Sequence, residues 1–159
     1  MLKKFIETVV KNKKVFYLEV DESFAMCGSQ AFYIEESKEA IPVALFWEDE
    51  KQAAACKADE WAKGIVKSAT LEEFIEICFG MQVETMAVGI GFKADLSGGE
   101  ELVPVDLVKA LVDEIDRTKT AVTFSDSFES LAQVKQLLNQ IEPDLFLQEL
   151  LKFYQFCLY

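Results

Sequence analysis

The sequence predicts an α+β domain: a central sheet, mostly antiparallel or mixed, flanked by helices and closed by a C-terminal helical pair. Three observations lead there. Hydrophobic residues make up 51% of the 159 residues, well above the content of a disordered chain. Short β-branched and aromatic runs alternate with segments whose apolar residues recur at helical spacing. Only three prolines and seven glycines interrupt the chain, so long flexible linkers are not expected. One domain is expected over 1–159, with an α/β core over 1–120 and a helical extension over 121–159.

Residues 2–11 set Phe5, Ile6, Val9 and Val10 at helical spacing, with lysines opposite. Val15–Val20 reads as a strand, Asp21-Glu22-Ser23 as a turn, and Phe24–Gly28 as the returning strand of a hairpin. Phe32-Tyr33-Ile34 extends the sheet, and residues 35–40 form a polar loop. Ile41–Trp47 is apolar throughout, which suits a central strand buried on both faces. Glu48-Asp49-Glu50 then opens a helix to about Asp59, its acids complementing the helix dipole. Trp61 falls in a connector, and Ile65–Ser68 reads as a short edge strand.

Thr70-Leu71-Glu72-Glu73 is a capping box. Its helix carries Leu71, Phe74, Ile75, Cys78 and Phe79 on one face and is expected to stop near Gly80. Residues 85–92 form a strand with two glycines, and 94–101 form a turn. Leu102-Val103 is extended, and Asp106 caps a helix bearing Leu107, Val108, Leu111, Val112 and Ile115. Residues 121–124 read as a last strand. Asp126 and Glu129 mark the start of a helix with Leu131, Val134, Leu137, Leu138 and Ile141 on its apolar face. The last helix, from Pro143 to Tyr159, is apolar on nearly every face. It therefore packs on the preceding helix or forms a homodimer seam.

The net charge is −12. Residues 1–20 hold five lysines against two glutamates, a balance of +3, so the remainder carries −15. An acidic body of this kind repels nucleic acid and anionic lipid and attracts basic partners. No apolar segment reaches the roughly 20 residues of a membrane span. The lysine-flanked N-terminal run is too short for a signal peptide. The four cysteines, Cys27, Cys56, Cys78 and Cys157, lack paired spacing. They read as reduced thiols in a cytoplasmic protein.

With no histidine in the chain, the usual Ser-His-Asp and Cys-His pairings are excluded and the commonest zinc ligand is missing. Neither a phosphate-binding loop nor a dinucleotide fingerprint is present. Glu48, Asp49 and Glu50 are explained by a first-turn helix role. Asp95, Ser97, Gly99 and Glu101 alternate like calcium ligands, yet the full loop pattern is missing and a hairpin turn suits them better. No catalytic, cofactor or metal residues are expected. Trp47 and Trp61 flank one helix, where large aromatics are first of all core and second interface anchors.

Several short motifs then occur in a familiar order: Ile41–Glu50, Glu60-Trp61, Thr70–Phe74, Gly80-Met81, Val88-Gly89, Asp95–Gly98 and Pro104–Leu107. Over about residues 14–116 the chain resembles the bacterial domain-of-unknown-function 2750 family. The resemblance implies a bacterial cytoplasmic α/β domain and brings no established activity or catalytic residues. Residues 117–159 lie beyond it.

These readings favour a non-enzymatic binding protein, an immunity protein that neutralises a toxin through an acidic surface. The expected partner is basic, with a nuclease toxin domain as the fitting class. The partner-binding candidates are the loop acids Asp21, Glu22, Glu35, Glu36, Glu39, Glu100 and Glu101, together with Trp47 and Trp61. The alternative is a regulatory or small-ligand-binding domain with a pocket between the sheet and the Trp47–Trp61 helix. An enzyme using carboxylates or Cys27 ranks third.

Overall fold

A computed structural model describes residues 1–33 and 37–141. The expected helix from Pro143 to Tyr159, with Cys157 and its seam, lies outside the described residues, as do Glu35 and Glu36. The fold is α+β, with elements in the order α1 (Leu2–Asn12), β1 (Lys14–Val20), β2 (Ser23–Phe24), β3 (Met26–Tyr33), β4 (Ala40–Phe46), α2 (Glu50–Ala55), β5 (Ile65–Thr70), α3 (Leu71–Val83), β6 (Ala87–Ile90), β7 (Glu100–Leu102), α4 (Pro104–Thr118) and α5 (Leu131–Gln140).

The expected central sheet is two sheets. One has the order β2-β1-β5 and the other β3-β4-β6-β7. The mixed character comes from β4 and β6, which run parallel while every other pairing among the described residues is antiparallel. The hairpin after Val20 has only two residue pairs, Glu19 with Phe24 and Val20 with Ser23. Ala25 then carries the chain into the second sheet. Its N–H donates to the Leu18 carbonyl at 2.9 Å, and its carbonyl accepts from the Leu45 N–H at 3.1 Å. Phe16 and Trp47 exchange two backbone bonds of 2.8 Å, tying β1 to the end of β4.

Strand alternation distributes two cores. Val15, Ala44, Phe46, Val88 and Ile90 face the layer of α1, α3 and α4, packing with Phe5, Phe74 and Leu111. Leu18, Val43, Leu45 and Trp47 face the other way, against Ala53, Cys56, Trp61 and Phe92. This two-sided burial is why Ile41–Trp47 reads as a continuous apolar run. Gly89 sits where a side chain would collide: a Cβ there would lie 2.6 Å from Leu45 Cδ2 and 2.9 Å from Val43 Cγ1.

Several boundaries differ from the sequence reading. The helix after Asp49 ends at Ala55, and Asp59 takes φ of 52° before a single 3-10 turn that holds Trp61. Gly80 does not stop α3, which runs to Val83 behind its capping box. Asp106 is not the cap of α4. Pro104 opens that helix, its missing N–H needing no partner there, and Asp106 lies in the first turn.

Residues 121–124 form no strand. The Ala121 carbonyl accepts from Lys13 Nζ at 2.6 Å, and the Thr123 N–H donates to the Glu72 carboxylate at 3.0 Å. Side chains thus satisfy this strap instead of a ladder. The Ser127 N–H donates to the Glu76 carboxylate at 3.1 Å, and Ser130 rather than Asp126 caps α5. Val134 and Leu138 of α5 join the same core cluster as α3 and α4. No helix among the described residues is long and apolar enough to cross a membrane.

Candidate functional site

The parallel strands β4 and β6 end side by side, with Phe46 opposite Ile90. The segments leaving these strand ends are tied to each other. Trp47 Nε1 donates to the Phe92 carbonyl at 2.9 Å, and the Cys56 thiol donates to the same oxygen at 3.4 Å. Gly91 turns the chain with φ of 68°, a region that a side chain seldom adopts, and a Cβ there would lie 2.8 Å from Met1 Sδ.

Glu48 stands at this junction. Asp49 is the N-cap of α2, its carboxylate accepting from the Lys51 N–H at 2.7 Å, so Glu48 lies before the helix rather than in its first turn. The dipole account that covers Glu50 therefore does not cover Glu48. Its side chain is only 10% exposed, and Oε1 lies 3.8 Å from Lys4 Nζ on α1. Oε2 is buried and has no hydrogen-bond partner among the described residues. Burying half of a carboxylate without a donor is costly, and such groups are exceptions that call for a reason.

Two adjoining hollows open here. One, of about 240 Å³, is lined by Met1, Lys4, Phe5, Glu48, Gln52 and Gly91. The other, of about 270 Å³, shares Lys4, Glu48 and Gln52 and extends to Thr8, Asn12 and Phe16. The site combines a recessed carboxylate, an exposed lysine beside it, an amide, and an apolar wall. Its location at the carboxyl ends of parallel strands is where open α/β sheets place ligands.

The residues singled out from the sequence do not converge on this cleft. Asp21 and Glu22 form the exposed β1–β2 turn, both with positive φ. Glu39 is exposed before β4. Glu100 and Glu101 lie on β7 rather than on a loop. The Glu101 carboxylate accepts from Ser29 Oγ at 2.7 Å, the Gln30 N–H at 3.0 Å and the Ala31 N–H at 2.9 Å, so it is engaged within the fold. Trp47 and Trp61 are 1% and 9% exposed and pack into the second core.

Asp95 Oδ1 accepts from the Ser97 N–H and hydroxyl, at 3.0 and 2.6 Å, which makes the segment a turn. These bonds hold the Asp95 carboxyl below its ordinary range. The thiols move the other way. Burial raises Cys27, with a further push from Glu101, and burial also raises Cys56 and Cys78.

The family model described as "Protein of unknown function (DUF2750)" matches residues 2–111, more than half of the chain. The chain belongs to the DUF2750 family. No curated protein and no solved structure gives a significant match. The DUF2750 match reaches further toward the N-terminus than the motif resemblance and takes in α1. Apart from Met1, every residue lining the Glu48 cleft is therefore inside the family region, whereas α5 is outside it.

Proposed function

We propose that this chain is a binding protein for a basic protein partner, acting as an immunity protein that neutralises a toxin. The observation that carries the reading is the placement of charge. The body beyond residue 20 has a net charge of −15, and carboxylates such as Asp21, Glu22, Glu39, Asp59 and Glu60 are exposed or partly exposed on turns. A nuclease must attract phosphate and so presents a basic active site, which an acidic surface can find quickly and cover. The test is co-purification with a basic toxin domain encoded beside this gene. The expected result is a one-to-one complex that blocks the toxin's activity. An unrelated neighbouring gene product that ignores this protein would remove the support.

The Glu48 cleft favours a second reading, a domain that binds a small cationic ligand. A thermal-shift panel of cationic metabolites would show stabilisation under this reading, and a flat panel would count against it. The charge reading ranks first because it draws on the net charge of the chain rather than on one carboxylate. Catalysis ranks last: the chain has no histidine to activate a nucleophile, and burial raises the thiols of Cys27, Cys56 and Cys78, which leaves less thiolate.

A further inference from the structure

We infer that the Glu48 cleft is a receptor for a guanidinium group. Two independent features point to it. The first is the cleft itself, about 240 Å³, with Glu48 in its lining and an apolar wall of Met1, Phe5 and Ile90. The second is the state of Glu48, whose side chain is nine-tenths buried and whose Oε2 has no donor among the described residues.

The chemistry selects the ligand. A carboxylate with both oxygens to satisfy is matched by a planar fork of N–H donors. Lys4 offers a single ammonium to Oε1 at 3.8 Å, longer than a hydrogen bond, and its side chain is 75% exposed. Oε2 is buried in the unliganded chain, so the ligand reaches it beside Oε1 only once Lys4 has swung into solvent, which that exposed side chain does at little cost. The Gln52 side chain borders both hollows and supplies a further acceptor. Of that wall Met1 is the exposed part, and its side chain suits the methylene stem behind a guanidinium.

In the setting of a basic partner this cleft receives an arginine side chain of that partner, and to that extent the inference rests on the proposed function. A free guanidinium compound has the same chemistry. The probes are therefore agmatine, as a free molecule, and an end-blocked Gly-Arg-Gly peptide, as a protein-borne arginine. Each is titrated into the full isotope-labelled chain at millimolar concentration while backbone amide shifts are followed.

Both probes are expected to move the amides of Phe5, Gln52 and Gly91. Glu48→Gln, whose fold the same spectrum verifies, should weaken binding by about tenfold or more, the loss of a charged bidentate contact. Lys4→Ala changes an exposed residue and should tighten binding, because it removes the competing cation. A peptide that binds at least as well as agmatine assigns the cleft to a partner's arginine. Agmatine binding alone assigns it to a small molecule. Absence of shifts at these amides, or a Lys4→Ala chain that binds more weakly, overturns the inference. A basic toxin domain that still binds in that case leaves the proposed function standing. Agmatine binding without any basic protein partner does the reverse.

Discussion

Ser29 donates its hydroxyl to the Glu101 carboxylate at 2.7 Å, although the two residues stand on opposite edge strands of the four-stranded sheet. The same carboxylate accepts the Gln30 and Ala31 N–H groups, at the point where β3 breaks its register against β4. Gly89, paired with Glu101 across β6 and β7, presents no side chain in the way. An acid that composition counts as surface charge therefore closes a bulge. Replacing it, Glu101→Ala, should destabilise the protein by about 1–3 kcal/mol, because donors lose an ionised acceptor. Urea denaturation measures the loss, and faster amide exchange confined to residues 29–32 locates it.

Cys27 provides a chemical readout of the same contact. It is the half-buried thiol among the described cysteines, and both burial and the Glu101 charge raise its pKa. A raised thiol pKa means less thiolate and slower alkylation at pH 8. Glu101→Gln removes the charge and should speed alkylation of Cys27, while Cys78, fully buried, remains slow. Mass-spectrometric alkylation rates check this, and an unchanged Cys27 rate would contradict it.

The strap before α5 is held by α3. Glu72 and Glu76, one helical turn apart, accept the Thr123 and Ser127 N–H groups, and Glu72 also lies 3.6 Å from Lys13 Nζ. Glu72→Ala with Glu76→Ala should increase proteolysis within residues 119–130 and lower stability by about 1–2 kcal/mol. Limited proteolysis followed by peptide mapping tests it.

At Gly89, substitution by Ala should destabilise by about 1–3 kcal/mol, because the added Cβ meets Leu45 and Val43 in the packed core between β4 and β6. Glu48→Met should act in the opposite direction. It removes a buried, half-satisfied carboxylate and leaves behind only the exposed Lys4, so a gain of about 1 kcal/mol is expected. Thermal melts of the two variants should shift to opposite sides of the parent.

How much of this was legible depends on the physics of each signal. The β-branched and aromatic run Val15–Val20, the continuous apolar run Ile41–Trp47 and the helical spacing on α1 mark their elements, since burial acts directly on residue type. The Thr70–Glu73 capping box was readable because it is local. The split into two sheets was not, because it depends on Ala25 handing the chain from Leu18 to Leu45, a long-range arrangement of backbone bonds. The strand expected at 121–124 failed for a related reason: its backbone is satisfied by side chains from distant helices. In sequence Glu48 reads with Asp49 and Glu50 as a helix acid, whereas it lies before the Asp49 cap. The available signal was narrow: an acid just before a capping Asp, directly after a buried strand, is outside the helix and turned toward the fold.

Asp21 and Glu22, exposed at the tip of the β1–β2 turn, should contribute to partner capture rather than to stability. Asp21→Asn with Glu22→Gln is expected to slow association with a basic partner several-fold at low salt and to leave the melting temperature nearly unchanged. Stopped-flow association at two ionic strengths, beside a thermal melt, tests both halves.

The central claim is that this acidic DUF2750 chain works by binding a basic protein. Isothermal titration against the purified basic domain encoded by the adjacent gene, at low and physiological salt, tests it most directly. A one-to-one complex whose affinity falls as salt rises is the predicted result. Absence of heat and of complex at low salt would contradict the account.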